Sequence, residues 1–374
     1  MRSHRTGRIL AVVVAAATVI AGIGVTAASA ARAPTGGTSA SATTLAGCAR
    51  RHGWHRRCVP SPTTSTTPSA AATATPSAST STGVVPPEAS TAAPTPTNSG
   101  PPPAGGNTSL PVRATFYYPW YPENFQGNGS KYTPSAGLYN GDDPVVVDRQ
   151  IGDMQYANLQ AGIASWWGQG TREDKRLALL MAEATKLHFS WAAYYEQEGF
   201  GDPSAAQITS DLTYLRKYSD SPTWLHINNK PVIFAYGDGT DDCSMTTRWK
   251  QANTVDYYVV LKVFGGYQTC ADQPQGWHQY APGGNIDVQN GYSVTVSPGF
   301  FRNDASTPLL ARDPTRFRAD VTTLATSKAP FQLITTFNEW GEGTSIESTT
   351  EWPSADGHGQ YIDILHDVFS AHPR

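Results

Sequence analysis

Two glutamates three residues apart form a pair that could exchange protons with a substrate. Glu339 and Glu342 lie in the stretch 337–343, where an apolar run gives way to glycines. Gly341 and Gly343 allow the backbone to turn sharply, so both carboxyls could face one cavity. Burial beside Trp340 would raise the pKa of one carboxyl and keep it protonated near neutral pH. Cleavage of a glycosidic bond needs such an acid and base; the alternative is that one glutamate pairs with an arginine of the core.

Aromatic and acidic side chains follow most of the apolar runs that we predict as strands. Aromatic faces stack on the C–H faces of sugar rings, while carboxylates and amides bind hydroxyls. Any one of these aromatic residues could instead belong to the core. Two adjacent tryptophans, however, point to opposite faces of a strand and cannot fill one layer. The predicted substrate-binding set is Tyr117, Tyr118, Trp120, Trp166, Trp167, Tyr195, Glu196, Tyr236, Asn338 and Trp340.

Other acidic residues are weaker candidates. Glu196 could bind a hydroxyl or serve as an alternative acid, and the same holds for Glu198. Glu347 and Glu351 are expected at the rim of the site. Asp142 and Asp143, which precede Pro144, are typical of residues that cap the start of a helix.

The elements that must position these residues alternate between strand and helix. Eight strands are predicted at Ala114–Trp120, Gly162–Trp167, Phe189–Tyr195, Pro231–Tyr236, Tyr257–Phe264, Trp277–Tyr280, Tyr292–Ser297 and Phe331–Phe337. Helices are predicted at Pro144–Leu159, Glu173–Leu187, Ser204–Tyr218, Cys243–Gln251, Pro314–Thr326 and Gln360–Phe369. This alternation indicates a single α/β domain of the (β/α)8 barrel type, in which reactive groups collect at the carboxyl ends of the strands. A doubly wound sheet is the alternative, but no glycine-rich phosphate loop follows the first strand.

Composition argues against several other chemistries. No HExxH motif, clustered Cys/His spacing or GxSxG elbow occurs, so we expect no metal, no cofactor and no serine hydrolase triad. Residues 111–374 carry 19 lysines and arginines against 29 acidic residues, a formal charge of −10. A domain of that sign does not bind nucleic acid by neutralising phosphates. A neutral polysaccharide or oligosaccharide is the expected partner.

The first 109 residues differ in composition from the rest. Residues 1–30 combine a basic start, an apolar run and a small-residue ending, which predicts a signal peptide. We therefore expect a secreted, extracellular protein with no membrane span after cleavage. The alternative is that this segment stays uncleaved and anchors the protein in the membrane. Residues 31–58 form a basic segment, either a cell-surface attachment or a solvated tail. Residues 59–109 are rich in Ser, Thr, Pro and Ala and predict a disordered linker. The catalytic domain is placed at 110–374.

Four cysteines are consistent with an oxidising compartment. Sequence alone allows three pairings, and we expect the nearest-neighbour one, which joins Cys48 to Cys58 and Cys243 to Cys270.

Several strand-end motifs resemble glycoside hydrolase family 99, the endo-α-mannosidases and endo-α-1,2-mannanases. The motifs are Tyr117–Tyr121, Ser165–Gly168, Lys230–Ile233, Ser297–Gly299 and Phe337–Glu347, in order along about residues 113–370. The resemblance implies a retaining (β/α)8 hydrolase that reacts through a 1,2-anhydro sugar. Glu339 would then be the base that acts on the 2-hydroxyl of the sugar, and Glu342 the general acid and base at the leaving oxygen. It also implies that Trp166 and Trp167 form an aromatic surface near the −2 sugar and that Tyr118 contacts the −1 sugar.

Two positions depart from the family pattern. Gly341 stands where the family usually has His, and Ser345 stands where it usually has Gln. These changes put the sugar and linkage in question more than the mechanism. Two other functions stay open: a non-catalytic extracellular glycan-binding protein, and an enzyme of polysaccharide assembly that has a related barrel.

Overall fold

A computed structural model describes residues 107–125 and 129–374. The predicted signal peptide, basic segment, Cys48–Cys58 pair and nearly all of the linker lie outside the described residues.

The strands of the described residues are β1 Val112–Tyr117, β2 Ala161–Trp166, β3 Ser190–Tyr195, β4 His226–Ile227, β5 Lys230–Ala235, β6 Tyr258–Lys262, β7 Gly276–His278, β8 Ile286–Gln289, β9 Ser293–Val296 and β10 Phe331–Ile334. Eight of them are parallel and form the central sheet, in the order β7-β6-β5-β3-β2-β1-β10-β9. Two short strands are added antiparallel, β4 on β5 and β8 on β9. Each of the eight predicted strands corresponds to a parallel strand of this sheet.

Side-chain hydroxyls bridge the remaining gap, between β7 and β9. Thr295 Oγ1 in β9 donates to the carbonyl oxygen of Gln279, which follows β7, at 2.7 Å. Thr335 Oγ1, which follows β10, donates to the carbonyl oxygen of Tyr280 at 2.5 Å. The sheet is therefore a nearly closed barrel, and the prediction of a (β/α)8 fold is confirmed.

Six α-helices surround the described barrel, at the positions that the sequence predicts. They are α1 Pro144–Tyr156, α2 Arg172–Leu187, α3 Ala205–Ser219, α4 Cys243–Ala252, α5 Pro314–Thr326 and α6 Gln360–Ala371. Asp143 caps α1 as expected, since its Oδ1 accepts from the backbone N–H of Val145 at 2.9 Å. A short 3-10 helix joins β6 to β7 and the β8 hairpin joins β7 to β9, in the glycine- and proline-rich part of the chain.

The barrel strands are buried on both faces because side chains alternate between the barrel interior and the helix layer. Along β1, Phe116 and Tyr118 belong to the interior cluster, while Tyr117 packs with the helices. The predicted disulfide is confirmed: Cys243, the first residue of α4, is bonded to Cys270 in the loop after β6. Among the described residues, none of the helices is both long and apolar enough to cross a membrane.

Candidate active site

A tight loop after β10 carries both glutamates. Its two legs pair through their backbones, with the N–H of Thr336 donating to the carbonyl of Thr344 at 3.0 Å and that of Ile346 donating back to Thr336 at 2.9 Å. Gly343 closes the turn with φ of +66°, where a Cβ would lie 2.8 Å from the carbonyl oxygen of Phe301. Glycine is required there on both counts.

Glu339 is buried, with 6% of its surface exposed. Its backbone N–H donates to Thr336 Oγ1 at 2.8 Å, and its Oε1 accepts from the backbone N–H of Gly341 at 3.1 Å. Its Oε2 has no hydrogen-bond partner among the described residues. Burial, and then the negative charge of Glu342, hold the pKa of Glu339 well above its usual range. A buried carboxyl oxygen without a partner is the atom that a bound hydroxyl would satisfy.

Glu342 is half-buried and receives a hydrogen bond from Tyr280, whose hydroxyl lies 3.1 Å from Oε2. Burial raises the pKa of Glu342 to about 7, and the Tyr280 hydrogen bond and the positive charge of Arg302 oppose the rise. The predicted site lacks Tyr280, although the residue ends a predicted strand whose carboxyl end meets the same face of the barrel. The strand-end pattern that selects the other site residues also selects Tyr280.

Glu196, after β3, is a third buried carboxyl at this end of the barrel. Burial raises its pKa to about 8; the Ser165 hydroxyl opposes the rise and the charge of Glu342 adds to it. Its Oε1 has no hydrogen-bond partner among the described residues. Burial raises the pKa of Tyr118 well above its usual range, and the charges of Glu196, Glu342 and Glu339 raise it further. Tyr118 therefore lies near the carboxyl groups.

A row of five aromatic rings extends from Tyr118 toward solvent. We call this set the aromatic wall; it consists of Tyr118, Trp120, Trp167, Phe200 and Tyr236. Ring centroids are 4.4 Å apart between Tyr118 and Trp120 and 6.4 Å apart between Trp120 and Trp167. Phe200 continues the row at 4.8 Å from Trp167 and stacks on Tyr236 at 6.0 Å. Phe200 is 57% exposed and ends a short 3-10 helix, Gln197–Phe200, which has no strand pattern, so the predicted set does not include it.

Three of the predicted binding residues lie in the helix layer instead. Tyr117, Trp166 and Tyr195 are fully buried there. Each donates to a helix residue, Tyr117 to Gln150 at 2.6 Å, Trp166 to Asp174 at 3.1 Å and Tyr195 to Asp211 at 2.8 Å. Their strands turn these side chains outward, so the geometry removes them from the predicted binding set.

Asn338 and Trp340 support the loop from behind. The Asn338 side chain accepts from the backbone N–H of Tyr118 at 2.7 Å and donates to its carbonyl at 3.0 Å, which ties the end of β10 to the end of β1. Trp340 packs with Tyr121 and Tyr139 in a separate cluster. Both side chains are buried and engaged, so they position the glutamates rather than face a sugar.

Two acids differ from their expected roles. Glu198 is buried and paired with Arg248, and its Oε2 accepts from the indole N–H of Trp249 at 2.9 Å. One of its oxygens lies within 4.8 Å of an oxygen of Asp202 and of an oxygen of Asp241, but Arg248 and Trp249 already satisfy the Glu198 carboxylate. Glu347 is 3% exposed, so the expectation of a rim residue is wrong.

Comparison with solved structures identifies related folds. The endo-α-mannosidase of glycoside hydrolase family 99 from Bacteroides thetaiotaomicron superposes with a TM-score of 0.58 at 18% identity, over 71% of this chain and 100% of that chain. The chain shares its fold. The same enzyme in complex with bis-tris-propane gives 0.57 at 19% identity, with the same coverage. A glycoside hydrolase-like protein gives 0.51 at 14% identity, over 72% of this chain and 97% of that chain. The chain matches no protein-family model and no curated protein.

Proposed function

We propose that this chain is a secreted, retaining glycoside hydrolase that cleaves α-linked glycans, acting as an endo-α-mannosidase or mannanase. The observation that carries the proposal is the pair of buried Glu339 and half-buried Glu342 in one loop at the carboxyl end of a (β/α)8 barrel. The shared fold with a family 99 endo-α-mannosidase and the sequence motifs support the substrate class. The predicted signal peptide and the Cys243–Cys270 disulfide support an extracellular location.

The pair can hold one proton near neutral pH, which is the state that the reaction needs. Burial raises the pKa of both carboxyls, and the charge on Glu342 raises that of Glu339 further. Because the groups interact, the two protons leave in separate steps that belong to the pair. One carboxyl can then act as an acid while the other acts as a base.

Each carboxyl has a separate role in the proposed reaction. Glu339 takes the proton of the 2-hydroxyl while that oxygen attacks C1 and forms a 1,2-anhydro sugar. The bond between C1 and the leaving oxygen breaks, and Glu342 gives its proton to that oxygen. Water then attacks C1 as Glu342 takes a proton from it, and Glu339 returns its proton to the 2-oxygen. Two inversions at C1 retain the configuration.

The empty and the occupied site differ in which carboxyl holds the proton. Without a sugar, the Tyr280 hydrogen bond and the Arg302 charge favour the ionised form of Glu342, so the proton resides on Glu339. A sugar 2-hydroxyl that donates to the unpartnered Oε2 of Glu339 would favour the ionised form there instead. Substrate binding is therefore the step that transfers the proton to Glu342.

The aromatic wall supports the choice of an extended neutral glycan. Its five rings run from buried Tyr118 to exposed Phe200, so they offer stacking area to more than one sugar. The net negative charge of the domain favours a neutral substrate over an anionic one.

The roles can be tested with Glu339→Gln and Glu342→Gln on α-mannans and on an aryl α-mannoside whose leaving group has a low pKa. Both variants should lose at least about 10²–10⁴-fold of mannan cleavage, because each removes a proton-transfer group. Glu342→Gln should keep far more activity on the aryl glycoside, which needs no acid to leave. Proton NMR of the first product should show retention.

Several outcomes would contradict the proposal. Wild-type cleavage of mannan by both glutamine variants would exclude the pair. Rescue of Glu339→Gln alone by the aryl glycoside would exchange the two roles. Binding of mannan by the wild-type protein without turnover would favour the glycan-binding alternative.

A further inference from the structure

Glu347 lies on the return leg of the loop that carries the two glutamates, and its carboxyl contacts α1 rather than the aromatic wall. Its Oε1 accepts from an Arg149 guanidinium N–H at 2.7 Å and from the Gln150 side-chain amide at 3.0 Å. Its Oε2 accepts from the Tyr139 hydroxyl at 2.8 Å. Both oxygens are therefore satisfied by donors, although burial raises the pKa of this carboxyl to about 7.

The Tyr139 hydroxyl is the centre of this buried network. Besides donating to Glu347, it accepts from the indole N–H of Trp340 at 3.0 Å and from the side-chain amide of Asn338 at 3.4 Å. A tyrosine hydroxyl has one proton and two lone pairs. Donation to Glu347 leaves both lone pairs for Trp340 and Asn338, so the three bonds are compatible only while Glu347 accepts.

Asn338 and Trp340, which both donate hydrogen bonds to Tyr139, stand on either side of Glu339 in the sequence. Asn338 also binds the backbone N–H and carbonyl of Tyr118, the tyrosine that lies among the carboxyl groups. The backbone N–H of Trp340 donates to the Tyr121 hydroxyl at 3.0 Å. The Tyr139 hydroxyl therefore helps to hold both neighbours of Glu339, together with their bonds to Tyr118 and Tyr121.

We propose that Glu347 is a positioning residue, which orients the Tyr139 hydroxyl and through it fixes Asn338 and Trp340 on either side of Glu339. This inference rests on the proposed glycosidase function. It concerns the geometry of the catalytic loop, because Glu347 itself has no route to a sugar bound at the aromatic wall.

Glu347→Gln tests the inference with almost no change of volume. Glutamine keeps one accepting oxygen and replaces the other with an N–H donor, so it cannot accept from both Tyr139 and the pair Arg149 and Gln150. We expect kcat on α-mannan to fall about 10- to 100-fold, with KM changed less than about 3-fold, because misplacement affects the transition state more than binding. Circular dichroism provides the folded fraction for normalising kcat.

Tyr139→Phe removes the hydroxyl from the other end of the bond and should have the same effect. If the two residues act through one hydrogen bond, the double variant should lose no more activity than the worse single variant. Glu183→Gln is the matched control: Glu183 in α2 is buried like Glu347, accepts from the Lys186 ammonium at 2.7 Å, and should leave kcat unchanged.

Wild-type kcat in folded Glu347→Gln and Tyr139→Phe would overturn this inference and leave the proposed function intact. Failure of both variants to fold would assign the network to stability alone and would also overturn it. Additive losses in the double variant would contradict the shared hydrogen bond. A wild-type protein that cleaves no glycan would overturn the proposed function and this inference together.

Discussion

Replacing Tyr280 with phenylalanine removes the hydroxyl that donates to Glu342 and keeps the aromatic ring. That hydrogen bond stabilises the ionised form of Glu342, so it lowers the pKa of this carboxyl from the value that burial alone would produce. Tyr280→Phe should therefore raise the pKa above about 7. In the free enzyme Glu342 ionises before Glu339, so its pKa marks the change from two protons on the pair to one. Because the reaction needs one proton on the pair, the acidic limb of kcat/KM should move to higher pH.

The size of the shift follows from the geometry of the bond. A hydrogen bond to a charged group contributes about 1.5–3 kcal/mol, and each pKa unit corresponds to about 1.36 kcal/mol. The separation of 3.1 Å is long for a bond to a carboxylate, so the lower end applies. Tyr280 is buried, and the phenylalanine ring would occupy the same space. We expect a shift of about one pH unit.

The assay is the pH dependence of kcat/KM on α-mannan for the wild type and Tyr280→Phe. Tyr267→Phe is the control, because its hydroxyl donates at 2.8 Å to Gln289, a residue of the β8 hairpin. The control should keep the wild-type profile. An acidic limb that stays in place or moves to lower pH in Tyr280→Phe would refute the assignment of Tyr280 as the donor that controls the ionisation of Glu342.

Two further predictions concern the loop and the wall. Gly341→Ala would place a Cβ 2.9 Å from Glu339 Oε1, so kcat should fall about 10-fold, and wild-type kcat would contradict the close contact. Trp167→Ala should raise KM about 10-fold with little change in unfolding temperature, because this ring belongs to the aromatic wall. Its neighbour Trp166 is fully buried, so Trp166→Ala should lower the free energy of unfolding by about 3–5 kcal/mol and leave the KM of the folded enzyme unchanged. A higher KM in Trp166→Ala together with a loss of stability in Trp167→Ala would contradict the faces assigned to the two side chains.

Much of the fold is encoded locally. The apolar runs and the helix signals between them predict the eight parallel strands and six α-helices that the structure describes within residues 107–125 and 129–374, because each element buries residues in a pattern that its own period imposes. The Cys243–Cys270 pairing follows the nearest-neighbour rule. The acid pair and the motif around Glu339 could also be selected from the sequence, since a strand end followed by glycines restricts where both carboxyls can point.

The face of each strand is a property of the assembled barrel. Strands buried on both sides are apolar throughout, so the sequence shows that Trp166 and Trp167 point in opposite directions but not which one points inward. Packing against Asp174 takes Trp166 into the helix layer and leaves Trp167 at the aromatic wall. The sequence by itself therefore determined the elements and the acid pair. Only the tertiary structure brought Tyr280 to Glu342, because that contact joins segments 62 residues apart.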